Sequence, residues 1–336
     1  MTLRKTVYPF LRHWEMRSNA QILWAGVVGS RLWGFEGPGS DHDVRFLYLA
    51  SERDYLRLSP RRLVVEEMVD LLCPQHGLAA PSQESPRSQG GRESGPGVFS
   101  ASAPSTLQLD LVGWDIAKAL PLLAKGNMAV REWLASSCSF RQEERAMAMV
   151  RSFAACSFNP AVAWQTHHSM GKRAWGEQQR SGALKPLLHA VRSALTLQVL
   201  VAQCRAAERG GPALVMPAVS VPGLLDALES ATAQQDQPSA SWSEALRPMV
   251  EALIQARRQG VASAAVPGPL LDWLEMVWEQ PQPGLSVQAS QAQGHAHQEL
   301  ERLADDVFLA LLGKGPDPFT QPGSFQSGPP ARHTPL

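Results

Sequence analysis

The sequence predicts an α+β protein, with a small mixed β-sheet core followed by a helical domain. Two observations carry that expectation. Before Trp114, short apolar and β-branched runs stop at turn residues, as in residues 22–28, 44–49 and 107–112. Beyond it, strand patterns fade and apolar positions recur at helical spacing. Strands grouped first and helices grouped afterwards are the element order of an α+β architecture.

Each element has its own signal. Residues 6–19 carry apolar and aromatic positions at mixed helical spacing and predict a short amphipathic helix. Residues 22–28 form a compact apolar run ending at Gly29, too short for a helix and suited to a buried strand. Residues 30–35 fit one or two helical turns, and Gly37, Pro38 and Gly39 a loop. Residues 44–49 (VRFLYL) predict a second strand and residues 63–67 a third. In residues 107–112, Leu107, Leu109 and Leu111 alternate with Gln108, Asp110 and Val112, which is strand periodicity.

Residues 79–105 are dominated by Pro, Ser, Gly, Gln and Arg. Such a tract buries too little apolar surface to offset its ordering entropy, and a disordered insertion in a hairpin connection is expected. Helices are expected at residues 116–125, 128–135, 142–155, 160–170, 185–206, 222–233, 242–258, 270–279 and 297–312. The organisation expected is a sheet core over 1–115, a helical domain over 116–314 and a disordered Pro- and Gly-rich tail over 315–336.

The totals exclude some functions. The formal net charge is zero, which argues against a generally basic protein that coats nucleic acid, although a local basic groove is compatible with it. Cys73, Cys138, Cys156 and Cys204 are scattered and form no C-x-x-C pair. They predict reduced thiols in a cytoplasmic setting, with no disulfide frame or zinc site. The first sixteen residues hold no sustained apolar segment of signal-peptide type, and no apolar run long enough to span a bilayer is expected.

The chemistry concentrates in residues 29–45. Asp41 and Asp43 are two positions apart at the start of a strand, so their side chains fall on one face. Two adjacent carboxylates repel unless a cation lies between them, and hard oxygen ligands of this kind suit Mg²⁺. A D-x-D pair alone also fits a solvated turn. Gly29-Ser30 ends a strand and opens a helix, which aims backbone N–H groups at an anion beyond it. Ser30 can donate its hydroxyl to a phosphate oxygen, or serve simply as a helix N-cap. The G-x-x-x-x-G-K pattern of a Walker loop is missing. Asp110, on the polar face of its strand, is placed to meet the first two carboxylates across a sheet, where three carboxylates can hold two metal ions; taken alone it equally fits a surface residue of an edge strand. Asp115 suits helix capping instead. Arg151, Lys172, Arg173, Arg180, Lys185 and Arg192 face a single acid, Glu177, over residues 151–192. That stretch fits a solvated helix face or a surface for phosphates. His167-His168 has no third ligand at a metal spacing. Packing is expected of Trp24, Trp33 and Trp114.

The segment GSRLWGFEGPGSDHDVRFLYL, followed by LDLVGWDIAKAL, resembles the YcgL-type nucleotidyltransferases of the DNA polymerase β-like superfamily. Their signature is G-S-x-x-x-G and then S-D-x-D, and some relatives are linked to RNA repair. FRQE at 140–143, HSMGK at 168–172 and KPLLHAVR at 185–192 are also similar to that family. The resemblance covers residues 8–205, with 79–105 as an insertion. It implies that Gly29 and Ser30, with Arg31 beside them, hold a nucleoside triphosphate. It further implies that Asp41, Asp43 and Asp110 bind two Mg²⁺ ions, and that Asp110 helps activate the nucleophile. Lys172, Lys185 and Arg192 would line the cleft from the helical side. Val27 and Val28 depart from the acidic and small polar residues of the family pattern. His167, Trp175, Leu187 and His189 stand where tyrosines are expected. The implied reaction is attack by an acceptor hydroxyl on the α-phosphate of a nucleoside triphosphate such as ATP, the acceptor being RNA, protein or a small molecule. An antibiotic-adenylating enzyme is the small-molecule version of that chemistry. The rival reading is a non-catalytic nucleotide-sensing or partner-binding module on the same fold.

Overall fold

The computed structural model describes residues 3–59, 61–72, 106–233, 240–283 and 289–320. The expected insertion at 79–105 and most of the expected tail lie outside these residues. The protein is α+β, as the sequence predicts, with one five-stranded mixed sheet and helices on both of its faces and beyond it.

Helix α1 (Leu3–Ser18) leads into β1 (Ala20–Val27). Asn19, at φ 48°, makes the sharp turn between them; Asn tolerates this left-handed conformation better than most side chains. A single turn, α2 (Ser30–Trp33), separates β1 from β2 (His42–Ala50). The short α3 (Glu52–Tyr55) then precedes β3 (Val64–Leu72) and β4 (Thr106–Asp115). The strand order is β3-β4-β2-β1-β5. Strands β1 and β2 are antiparallel, as are β3 and β4, whereas β2 and β4 run parallel. That parallel pair matters for the site, because it sets Asp43 opposite Asp110 in register.

The sequence reading missed α3 and the edge strand β5 (Ser139–Gln142). Both are four residues long, too short for a periodic signal. The helix expected from 142 instead begins at Glu144, as α6 (Glu144–Cys156), because Gln142 pairs with Trp24 in the sheet. Between β4 and β5 lie α4 (Ile116–Ala124) and α5 (Met128–Leu134). The remaining helices are α7 (Pro160–Ser181), α8 (Leu184–Glu208), α9 (Val221–Ala233), α10 (Ala240–Arg258), α11 (Gly268–Glu279) and α12 (Ala289–Leu311).

Three apolar clusters hold these layers together. On one face of the sheet, Val7, Leu11 and Trp14 of α1 cover Ile22, Phe46, Tyr48, Leu109 and Leu111. On the other, Leu23, Trp24 and Leu47 pack with α4, α5 and α6, and α12 returns to this layer through Ala304 and Val307. The third cluster joins α7 to α11 around α8. Each fully buried Leu, Val or Phe contributes roughly 1.5–3 kcal/mol, which is why period-2 and period-3.6 patterns decide the fold. Gly113 belongs to this logic: a Cβ there would stand 2.2 Å from the Phe46 ring.

Helix α8 corrects one expectation. It is long and apolar enough to cross a bilayer, although no such run was expected. In this fold 78% of its apolar window is buried, as the central helix of the third cluster. Of the cysteines, Cys138, Cys156 and Cys204 are free thiols; Cys73 lies outside the described residues.

Candidate active site

The site begins at the end of β1. Gly29 has φ 68° and caps α2, so Ser30 is the first helical residue rather than the cap. Gly34, also left-handed at φ 85°, closes that turn through its N–H to Ser30 O. Non-glycine residues resist this conformation. The Val28 N–H donates to Asp43 O at 2.9 Å and locks the start of the turn to β2. The loop after α2 folds back through Ser40, whose Oγ accepts from Gly37 N at 2.9 Å. Arg31 reaches this loop and donates to Ser40 O at 3.3 Å.

Asp43 on β2 and Asp110 on β4 are register partners, so their side chains stand abreast on one face. Between them lies the guanidinium of Arg45. Its Nη2 donates to Asp43 Oδ1 at 3.2 Å and to Asp110 Oδ2 at 2.9 Å. Its Nη1 donates to Asp110 O at 2.9 Å and to Val44 O at 3.1 Å. Burial pushes the Asp43 carboxyl above the usual carboxylate range. Arg45 pulls it back, and the charges of Asp110 and Asp41 push it up again. Asp41 itself is exposed, just before the strand.

The expected three-carboxylate metal cage is therefore not formed. Among the described residues no three Asp, Glu, His or Cys side chains converge where a metal could sit. The physical reason is visible. Asp41 faces solvent, and the charge of the other two is met by a guanidinium. The donor chemistry of Asp43 and Asp110 nevertheless fits one divalent ion, since each carboxylate has a second hard oxygen beyond the one Arg45 takes.

A cleft of about 580 Å³ opens from this point. Gly29, Asp43 and Arg45 form its floor; Lys125, Gly126, Asn127 and Glu132 of the α4–α5 region form one wall; Val162, Thr166 and Met170 of α7 form another. This volume is in the range of small-molecule sites. Trp33 and Trp133 also line it. Trp133 packs on Trp114 with ring centroids 4.5 Å apart, and Trp24 is fully buried.

The sequence-predicted basic residues separate here. Lys185 is exposed, and its charge acts on Asp43. Lys172 is exposed and makes no ion pair or hydrogen bond among the described residues. Arg192 is only 2% exposed. Its Nη2 is paired with Glu132, its Nε donates to Val219 O at 3.0 Å, and its guanidinium lies 4.8 Å from the Trp33 ring centre. Trp33 in turn donates Nε1 to Glu132 Oε2 at 3.2 Å. Arg192 thus braces the wall of the cleft from behind.

Asp115 caps α4, as its sequence position predicts, accepting from Ala117 N at 2.8 Å. It is fully buried and also paired with Tyr55 and Arg61. His167 is buried and held at a pKa of about 3, chiefly by desolvation and then by Arg192. His189 packs against Trp33 and Phe35 and is held at about 4 by the same causes and by Lys185. Sequence reasoning missed Arg45 and Lys125. For Arg45 a signal existed: a cation two residues beyond Asp43 on a strand shares its face.

Comparison with known proteins identifies the family. The family model of an RNA repair pathway DNA polymerase beta family matches residues 3–73 and 100–207, more than half of the chain. An uncharacterized protein, YcgL of Bacillus subtilis (strain 168), is 25% identical over 171 residues, which are 51% of this chain and 52% of that protein. The chain thus spans about half the length of the curated relative it matches. No solved structure matches.

Proposed function

Because the chain belongs to the RNA repair pathway DNA polymerase beta family, we propose that it transfers a nucleoside monophosphate from a nucleoside triphosphate to an acceptor hydroxyl. One observation supports this most directly. Asp43 lies beside the left-handed Gly29 turn at the floor of a cleft of nucleotide size, with Asp110 next to it in register on β4.

In this reading the phosphates lie over Gly29 and Ser30, where backbone N–H groups and the Ser30 hydroxyl meet them. Lys125 adds positive charge at the wall of the cleft, and the charge of Lys185 acts on Asp43. Asp43 and Asp110 are the residues that would hold a divalent ion, which would supply charge neutralisation for the phosphates. Asp110 helps to activate the attacking hydroxyl, whose proton passes to solvent. The hydroxyl oxygen bonds to the α-phosphorus as the bond to the bridging oxygen breaks, and pyrophosphate leaves. The walls around Trp133 and Met170 exclude water and hold the nucleoside in line.

The family description makes RNA the first acceptor to test. The experiment is incubation of the protein with each α-labelled nucleoside triphosphate and Mg²⁺, against RNA with varied ends, protein and small-molecule acceptors. Label transferred to an acceptor supports the reading. A second reading, a nucleotide-sensing module, gains from Arg45 standing between the two acids. Nucleotide binding that changes affinity for a partner, with no transfer to any acceptor, would favour it.

A further inference from the structure

We infer that Arg45 is a resident cation of the site and that the Asp43–Asp110 pair takes one divalent ion rather than two. This rests on the nucleotidyltransferase reading for the role of the ion, but not for the competition it describes. The contacts are specific. One guanidinium nitrogen is shared between Asp43 Oδ1 and Asp110 Oδ2, at 3.2 and 2.9 Å. The other is fixed by two backbone carbonyls, Val44 O and Asp110 O. The side chain is only 16% exposed. A guanidinium tied to backbone on one side and to two carboxylates on the other is not a loose surface ion pair.

Its consequence is electrostatic. Two carboxylates held abreast need about one unit of positive charge to be tolerated together, and Arg45 supplies it permanently. What is left for a metal is one oxygen of each acid. Asp43 Oδ2 lies against Gly29, on the side where the phosphate-binding turn begins. A second ion between the acids would occupy the space of the guanidinium. Arg45 is thus a positioning residue: it spaces the two acids and limits the ion count.

The test is titration with Mn²⁺, followed by electron paramagnetic resonance, on the full chain and on Arg45→Gln. Without nucleotide, the variant has lost its internal counter-ion, and its Mn²⁺ affinity is expected to rise about tenfold or more. Arg45→Gln combined with Asp110→Asn should lose that gain, which locates it at this pair. Mn²⁺ should also raise the melting temperature of Arg45→Gln more than that of the parent, so the variant reports even if it is less stable. With a non-hydrolysable nucleoside triphosphate present, the parent should bind one Mn²⁺ per chain, and Arg45→Gln up to two. Unchanged Mn²⁺ affinity in Arg45→Gln, or two ions per chain in the nucleotide-bound parent, would overturn the inference. If the parent binds no nucleotide, the proposed function fails, while the nucleotide-free comparison still decides the role of Arg45.

Discussion

The Asp43 carboxylate occupies the space that a side chain at Gly29 would need: a Cβ placed there would stand 2.0 Å from Asp43 Oδ2. Gly29 is also left-handed, at φ 68°. The two demands are independent, and both exclude alanine. Gly29→Ala is therefore expected to cost roughly 1–3 kcal/mol from backbone strain alone, and to push Asp43 off its position beside Asp110. Thermal unfolding would show the first effect. Nucleotide titration would show the second, and a variant that melts and binds like the parent would refute both.

Asp110 and Asp115 are five residues apart on one strand and should behave oppositely. Asp110 is one-third exposed beside Arg45. Asp110→Asn should abolish nucleotidyl transfer while changing stability by about 1 kcal/mol or less, because Arg45 keeps Asp43 as its partner and the repulsion between the two acids is relieved. Asp115 is buried, caps α4 and is paired with Arg61. Asp115→Asn should cost roughly 2 kcal/mol or more, since it leaves a guanidinium without its carboxylate. Turnover and urea unfolding of both variants decide this. A stable, inactive Asp115→Asn would mean that the wrong carboxylate has been assigned to the chemistry.

Arg192 should prove structural. Removing it leaves Glu132 without its counter-charge inside the wall of the cleft, and breaking a buried pair from one side costs about 3–5 kcal/mol. Arg192→Met is expected to lower the urea midpoint strongly. Arg192→Met with Glu132→Leu should recover part of the loss, because no lone charge is left buried. Full recovery of nucleotide affinity in the double variant would show that Arg192 does not touch the nucleotide.

The two exposed lysines should differ. The charge of Lys185 acts on Asp43, whereas Lys172 has no such link. Lys185→Gln should weaken triphosphate binding about tenfold, and more at low salt than at high, as expected for a partly screened charge. Lys172→Gln should leave binding within about twofold. Calorimetry at two salt concentrations checks this, and equal losses would restore Lys172 to the site.

Acid should destabilise the protein through its histidines. His167 and His189 are held near 3 and 4, below the ordinary 6.5, by burial and the charge of Arg192. Between those values and 6.5 the unfolded chain binds protons that the folded chain refuses. Their contribution is thus complete above about pH 6.5 and is lost as pH falls, at up to about 1.4 kcal/mol per unit for each histidine. His189→Phe keeps a ring against Trp33 and Phe35 but cannot titrate. The slope of unfolding free energy between pH 6.5 and 4 should be shallower in that variant. An unchanged slope would assign the acid sensitivity elsewhere.

The sequence by itself determined the α+β class, the strands through residues 22–28, 44–49 and 107–112, and the long helices, because alternation and 3.6-residue spacing follow directly from which face must be buried. It also marked Gly29, Asp43 and Asp110, since a Gly-Ser turn and carboxylates on strand faces are local patterns. Other features belong to tertiary structure alone. That β4 runs parallel to β2, so that Asp110 meets Asp43 with Asp41 left outside, depends on strand order, which no local pattern encodes. That Arg192 is a buried brace rather than a cleft residue depends on Glu132, 60 positions away. That Arg45 stands between the two acids depends on both conditions at once, the shared strand face and the neighbouring strand. Charge at a position is written in the sequence; whether that charge meets solvent, a phosphate or an opposite charge is decided only when distant segments pack.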